Sequence, residues 1–220
     1  SGATLFPVVG QYWKKNGRQG VGIAGRTKND AIQRIAEDFL LSNIRSGDII
    51  VITLRLPFYF GQNSFHNKEE DFTYKNNNGD KVSRKDFFEQ WKEEIFVLAS
   101  FLEAKNAKII ISSPTPEWYN NFNIHHCRPS QWFNVLAKKN CKIEKILFER
   151  EYKSIISFLE KLDQQNKNVY TLDSLSSLCS NDICEYTQNN KELYIDRYHL
   201  SNYASRNIIG PILFDLINKM

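Results

Sequence analysis

Apolar residues recur along the chain at two spacings, and the alternation between them sets out the expected elements. Between Thr4 and Lys15, Leu5, Val8, Val9, Tyr12 and Trp13 stand at helical spacing ahead of Gly17, which predicts a first helix. A short strand is expected over 21–24, between glycines, and a second helix after Asn29 with Ile32, Ile35, Ala36, Phe39 and Leu40 on one face. From Ile49 to Leu54 the run is apolar and β-branched without alternation, the pattern of a strand covered on both faces of a parallel sheet. Lys108 to Ser112 repeats that pattern. Ser83 to Asn106 reads as a helix with Phe87, Trp91, Ile95, Leu98 and Leu102 inward. Further helices are expected from about Glu144 to Gln165 and from Ser201 to Lys219, and strands over 168–172 and 193–195. Two polar stretches separate these elements, 57–82 with the turn signal Asn76-Asn77-Asn78-Gly79-Asp80, and 117–142.

Strands alternating with helices predict an α/β fold, a three-layer α/β/α arrangement with a mostly parallel central sheet. A chain of 220 residues with this balance of apolar and charged positions is expected to form one domain, 1–220. The longest apolar run, 48–55, falls well short of the roughly 20 residues that cross a bilayer. The first residues lack a charged segment followed by an apolar one and a cleavage site, so the chain reads as an excised or processed piece. The net charge of +4 arises from 29 basic and 25 acidic residues spread throughout, which argues against a dedicated nucleic-acid face.

The four cysteines fall into two local pairs, Cys127 with Cys141 and Cys179 with Cys184. Two disulfides and an oxidising compartment are the expected reading, four free thiols the alternative. Neither pair has zinc-ligand spacing, and His66, His125 and His126 lie in the polar stretches without an accompanying ligand pattern, so no metal site is expected. The loop aromatics Phe58, Tyr59, Phe60, Trp118, Tyr119, Trp132 and Phe133 can pack a loop core or stack on sugar rings.

The segment that carries chemistry is Asp196-Arg197-Tyr198-His199-Leu200-Ser201. A carboxylate three residues before a histidine can hold one ring nitrogen and leave the other to accept a proton from a hydroxyl. Together with Cys179-Ser180-Asn181-Asp182-Ile183-Cys184 and the flanking Leu193 to Ala204, this block resembles the terminal block of SGNH/GDSL hydrolases. It is most similar to the SGNH domain at the C-terminus of membrane-bound polysaccharide O-acyltransferases, departing from it by Tyr203 where Gly is common. Val51 to Arg55 with Pro57 and Tyr59, and Ile109 to Glu117 with its Pro114-Thr115-Pro116, resemble other segments of that family in the same order.

That resemblance implies an SGNH-hydrolase fold and acyl transfer or hydrolysis through a serine acyl-enzyme, with His199 as general base and Asp196 as its orienter. The acyl group is expected to be acetyl and the acceptor a cell-surface or secreted carbohydrate. It further implies an acyl donor, a membrane-embedded acyltransferase domain in the parent protein, an extracytoplasmic location and no cofactor. The family's Gly-Asp-Ser block and first strand are missing from the sequence, so Ser1 is the nucleophile, the residue after it, or a terminal residue with no catalytic part. Gly25 matches the oxyanion glycine, and Arg55 stands where a further donor is expected, with pairing to Glu117 as its alternative role. A free-standing carbohydrate esterase and a non-catalytic carbohydrate-binding domain are the competing readings.

Overall fold

The computed structural model describes residues 5–9, 42–53, 55–57, 82–118, 127 and 141–220. In chain order the elements are β1 (Leu5–Val9), β2 (Ile49–Thr53), α1 (Arg84–Ala104), β3 (Lys108–Ser112), β4 (Lys142–Glu144), α2 (Lys145–Glu151), α3 (Lys153–Gln165) and β5 (Val169–Leu172). There follow α4 (Ser174–Leu178), β6 (Cys179–Ser180), β7 (Ile183–Glu185), β8 (Thr187–Gln188), β9 (Lys191–Glu192), α5 (Asn202–Ala204), a π-helical turn (Ser205–Ile209) and α6 (Gly210–Asn218). They divide into two compact units. The first takes β1, β2, α1, β3, α3 from Ser154 and β5 to Thr171; the second takes 113–118, 141–153 and Leu172–Met220.

The first unit is an α/β layer structure, as expected. Its sheet runs β1-β2-β3-β5, with β1 and β3 each parallel to β2. Ile50 lies opposite Ile109 and Ile52 opposite Ile111, so these four project to one face. There they form a single core with Trp91, Ile95, Leu98 and Leu102 of α1 and Ile155, Leu159 and Leu162 of α3. Trp91 meets Phe158 edge to face at 5.4 Å and lies parallel to Phe88 at 6.0 Å. The intervening Ile49, Val51 and Ile110 point to the other face and are buried too, which is why neither strand alternates. Ser83 caps α1 by accepting Asp86 N–H at 3.1 Å. At the far end Asn106 takes a left-handed φ of 53° and turns the chain into β3.

The structure corrects the reading of the first segment. Leu5–Val9 is a strand in register with β2 from Leu5 opposite Ile49 to Val9 opposite Thr53, not the start of a helix. Five residues of Leu-Phe-Pro-Val-Val satisfy either period, and the β-branched valines favour the extended form. Pro7, which has no N–H to donate inside a helix, is tolerated at the edge of the sheet formed by the described residues, where β1 stands. In the described sheet the position beside β2, on the side away from β3, is held by Leu5–Val9.

Three smaller differences follow from local chemistry. The expected long helix over 144–165 is two helices that meet at Tyr152, where the chain passes from the second unit to the first. The expected strand over 193–195 is reduced to one bridge between Tyr194 and Leu200. The closing helix contains a π-helical turn ahead of Pro211, with Gly210 N–H bonding back to Ser205 O. Pro211 has no N–H for the next α-helical bond, so the widened turn costs the ladder little there. The strand expected over 21–24, the helix after Asn29 and His66, His125 and His126 lie outside the described residues.

Candidate active site

In the second unit Pro114 and Pro116, without N–H groups, end the run of β3 and lead into the buried Glu117 and Trp118. Ser113 just before them accepts Ser174 N–H at 2.9 Å and Leu175 N–H at 3.3 Å, supporting the start of α4. Both expected disulfides are formed, Cys127 with Cys141 at a Cα separation of 5.6 Å and Cys179 with Cys184 at 4.0 Å. Cys179 and Cys184 face each other across the β6–β7 hairpin. Its turn residues, Asn181 and Asp182, have φ of 49° and 60°; Asn189 and Asn190, between β8 and β9, have 50° and 57°. Two successive left-handed residues make a type I′ turn, which Asn and Asp enter at the least cost among residues with a Cβ. Neither hairpin was expected from the sequence, and these two polar pairs were the signal for them.

The Asp196-to-His199 loop is closed below by the Tyr194–Leu200 bridge, with Ile195 N–H donating to His199 O at 2.9 Å and Ser201 N–H to Leu193 O at 2.8 Å. Ser201 Oγ donates to Glu192 O at 2.6 Å and accepts Ala204 N–H at 3.1 Å, so one hydroxyl ties the loop to β9 and caps α5. Trp118 N–H reaches Arg197 O at 2.9 Å, in the middle of the loop. The Trp118, Tyr186 and Tyr194 rings pack together beneath, with centroids 5.5 to 5.7 Å apart, and all three are fully buried.

Asp196 divides its two oxygens. Oδ1 accepts Tyr198 N–H at 2.8 Å and His199 N–H at 2.7 Å, an Asx turn that folds the loop over its own side chain. Oδ2 lies 2.6 Å from His199 Nδ1. A carboxylate at Nδ1 selects the tautomer with its proton there and leaves the Nε2 lone pair available. The imidazole is largely exposed, and the Tyr198 ring stacks at an angle beside it with centroids 4.5 Å apart.

Partial burial pushes the Asp196 pKa up, but the His199 ring, the His199 and Tyr198 N–H groups and the His199 charge together outweigh it and hold the carboxyl below its usual value. A depressed carboxyl contributes stability that is present above its unfolded value, about 3.9, and is lost as pH falls through the lower folded value. The Asp196 carboxyl carbon, followed by NMR, should therefore titrate below that reference, and His199→Ala should move its midpoint upward. A midpoint at or above the reference in the unaltered protein would contradict the hydrogen-bonding scheme.

Beneath the loop, burial first and the charge of Glu117 second raise the pKa of both Tyr152 and Tyr194. Among the described residues no three His, Cys, Asp or Glu side chains are grouped to hold a metal.

Of the residues singled out from the sequence, the structure brings Asp196 and His199 together. Arg55 follows β2 in the first unit and is half-buried. Ser1 and Gly25 lie outside the described residues. Sequence reading missed Tyr186, whose hydroxyl donates to Tyr194 O at 2.9 Å, and assigned Trp118 only to the loop aromatics. A family model described as "SGNH domain (fused to AT3 domains)" matches residues 5–213. Neither the curated proteins nor the solved structures contain a match to the chain.

Proposed function

The chain belongs to the SGNH domains that are fused to AT3 domains, and from that premise we propose that it moves an acetyl group on or off a cell-surface or secreted carbohydrate through a serine acyl-enzyme. The family supports an acyltransferase or esterase chemistry in general terms. The observation that supports a serine acyl-enzyme is the 2.6 Å contact of His199 Nδ1 with Asp196 Oδ2, which leaves Nε2 to serve as the base; the acetyl group and the carbohydrate acceptor are carried over from the family resemblance.

In the proposed cycle a serine hydroxyl attacks the acyl carbonyl as its proton passes to His199 Nε2. Asp196 stabilises the imidazolium without taking the proton. The tetrahedral intermediate collapses, the leaving oxygen takes the proton from Nε2, and the acyl group remains on the serine. A sugar hydroxyl or water, deprotonated in turn by Nε2, then releases it. The nucleophile is Ser1 or the residue before it in the parent chain. Gly25 N–H and the Arg55 guanidinium are assigned to the oxyanion. We assign 1–220 to a single SGNH domain, outside the cytoplasm and tethered to a membrane acyltransferase domain; the two disulfides and the AT3 fusion of its family support that placement. No cofactor is required by these steps.

The test is covalent labelling of the parent protein with an aryl fluorophosphonate, followed by peptide mass spectrometry. One adduct is expected, at Ser1 or at the serine immediately preceding it, and His199→Ala should suppress it. A protein that takes no label at either position yet binds acetylated oligosaccharide would instead be a carbohydrate-binding domain.

A further inference from the structure

Tyr194 and Leu200 form a bridge whose two hydrogen bonds are made by the residues on either side of them, Ile195 to His199 and Leu193 to Ser201. In a pair of that kind the carbonyl of Tyr194 is turned away from Leu200 and cannot be satisfied by it. It is satisfied by Tyr186, whose Oη–H donates to it at 2.9 Å in a buried setting. The donor is itself held on three sides. Tyr186 N–H donates to Cys141 O at 2.9 Å, its carbonyl accepts Leu193 N–H at 2.9 Å, and its ring packs between Trp118 and Tyr194. Two residues before it, Cys184 is bonded to Cys179.

We propose that Tyr186 is a positioning residue for the Asp196–His199 pair, an inference that rests on reading His199 as the general base. Its phenol fixes the backbone two residues ahead of Asp196, on the side opposite the bridge. The Trp118 backbone N–H fixes Arg197 one residue after it, so the carboxylate is presented to Nδ1 from backbone clamped on both sides. The neighbouring hydroxyl of Tyr194 does no such work: it is buried with no hydrogen-bond partner.

The contact can be deleted by Tyr186→Phe, which keeps the ring and removes one hydroxyl. The readout is the tautomer of neutral His199, measured by long-range proton–nitrogen NMR on histidine-labelled protein. Tyr186→Phe should shift the ratio from the Nδ1–H form toward the Nε2–H form and lower kcat for an acetyl ester about three- to tenfold, with KM unchanged, the net worth of one hydrogen bond. Tyr194→Phe, in the same cluster, should leave the ratio as it is. Should Tyr186→Phe fold poorly, 3-fluorotyrosine at position 186 keeps the ring and strengthens the donor, and the ratio should move toward Nδ1–H. An unchanged ratio in the Tyr186 variants overturns the proposal whatever happens to turnover. Absence of turnover in every form, the unaltered parent included, overturns the acyl-transfer reading, while the NMR ratio still decides the role of Tyr186.

Discussion

His199→Ala should reduce ester turnover by the parent protein by on the order of 10⁴-fold or more while leaving the fold intact. The imidazole is largely exposed, so its removal opens no cavity. Asp196 keeps the two N–H donors to Oδ1 that fold the loop. What disappears is the one group on the loop whose lone pair is directed by a carboxylate. Asp196→Asn provides the complementary measurement. An amide oxygen can still accept the Tyr198 and His199 N–H groups, so the Asx turn survives. Its NH₂, however, donates to Nδ1 and selects the tautomer that has lost its lone pair at Nε2, and a loss of about 10³- to 10⁴-fold is expected. Circular dichroism and thermal unfolding establish that both variants are folded, and stopped-time assays on an aryl acetate give the rates. Equal rates for the two variants and the unaltered protein would remove the base role from His199.

Trp91→Ala should cost about 3–5 kcal/mol of stability, the largest effect expected from a single substitution in the sheet's core. The Trp91 ring is buried within the cluster that joins α1 and α3 to β2 and β3, against Phe88 and Phe158. Chemical denaturation measures the loss, and a change below about 1 kcal/mol would show that the helices are held to the sheet chiefly by other contacts.

The contrast between elements shows where pattern reading has purchase. β3 was bounded to the residue and α1 to within two, because a long amphipathic helix and a run of β-branched residues each satisfy one period only. Asp196 and His199 were legible because a three-residue spacing places a carboxylate and a ring together through local geometry alone. Leu5–Val9 was misread because five apolar residues fit both periods and the choice is made by a partner 44 positions away, Ile49 beside Leu5. Tyr186 carries no local signature at all. Its role depends on which way the Tyr194 carbonyl faces, and that is decided by a bridge eight residues downstream. Trp118 is farther still from the loop it supports through Arg197, and only tertiary structure joins them.

The division of labour within Asp196 bears on how such a domain can drift. One oxygen shapes the backbone and the other serves the imidazole, so selection for folding and selection for chemistry act on the same side chain. A descendant that abandoned catalysis would be free to discard His199, whose ring supports little, but would still be pressed to retain Asp or Asn at position 196 to keep the turn closed. An acid at that position is thus a poor marker of a working enzyme, and the histidine three residues later is the diagnostic one.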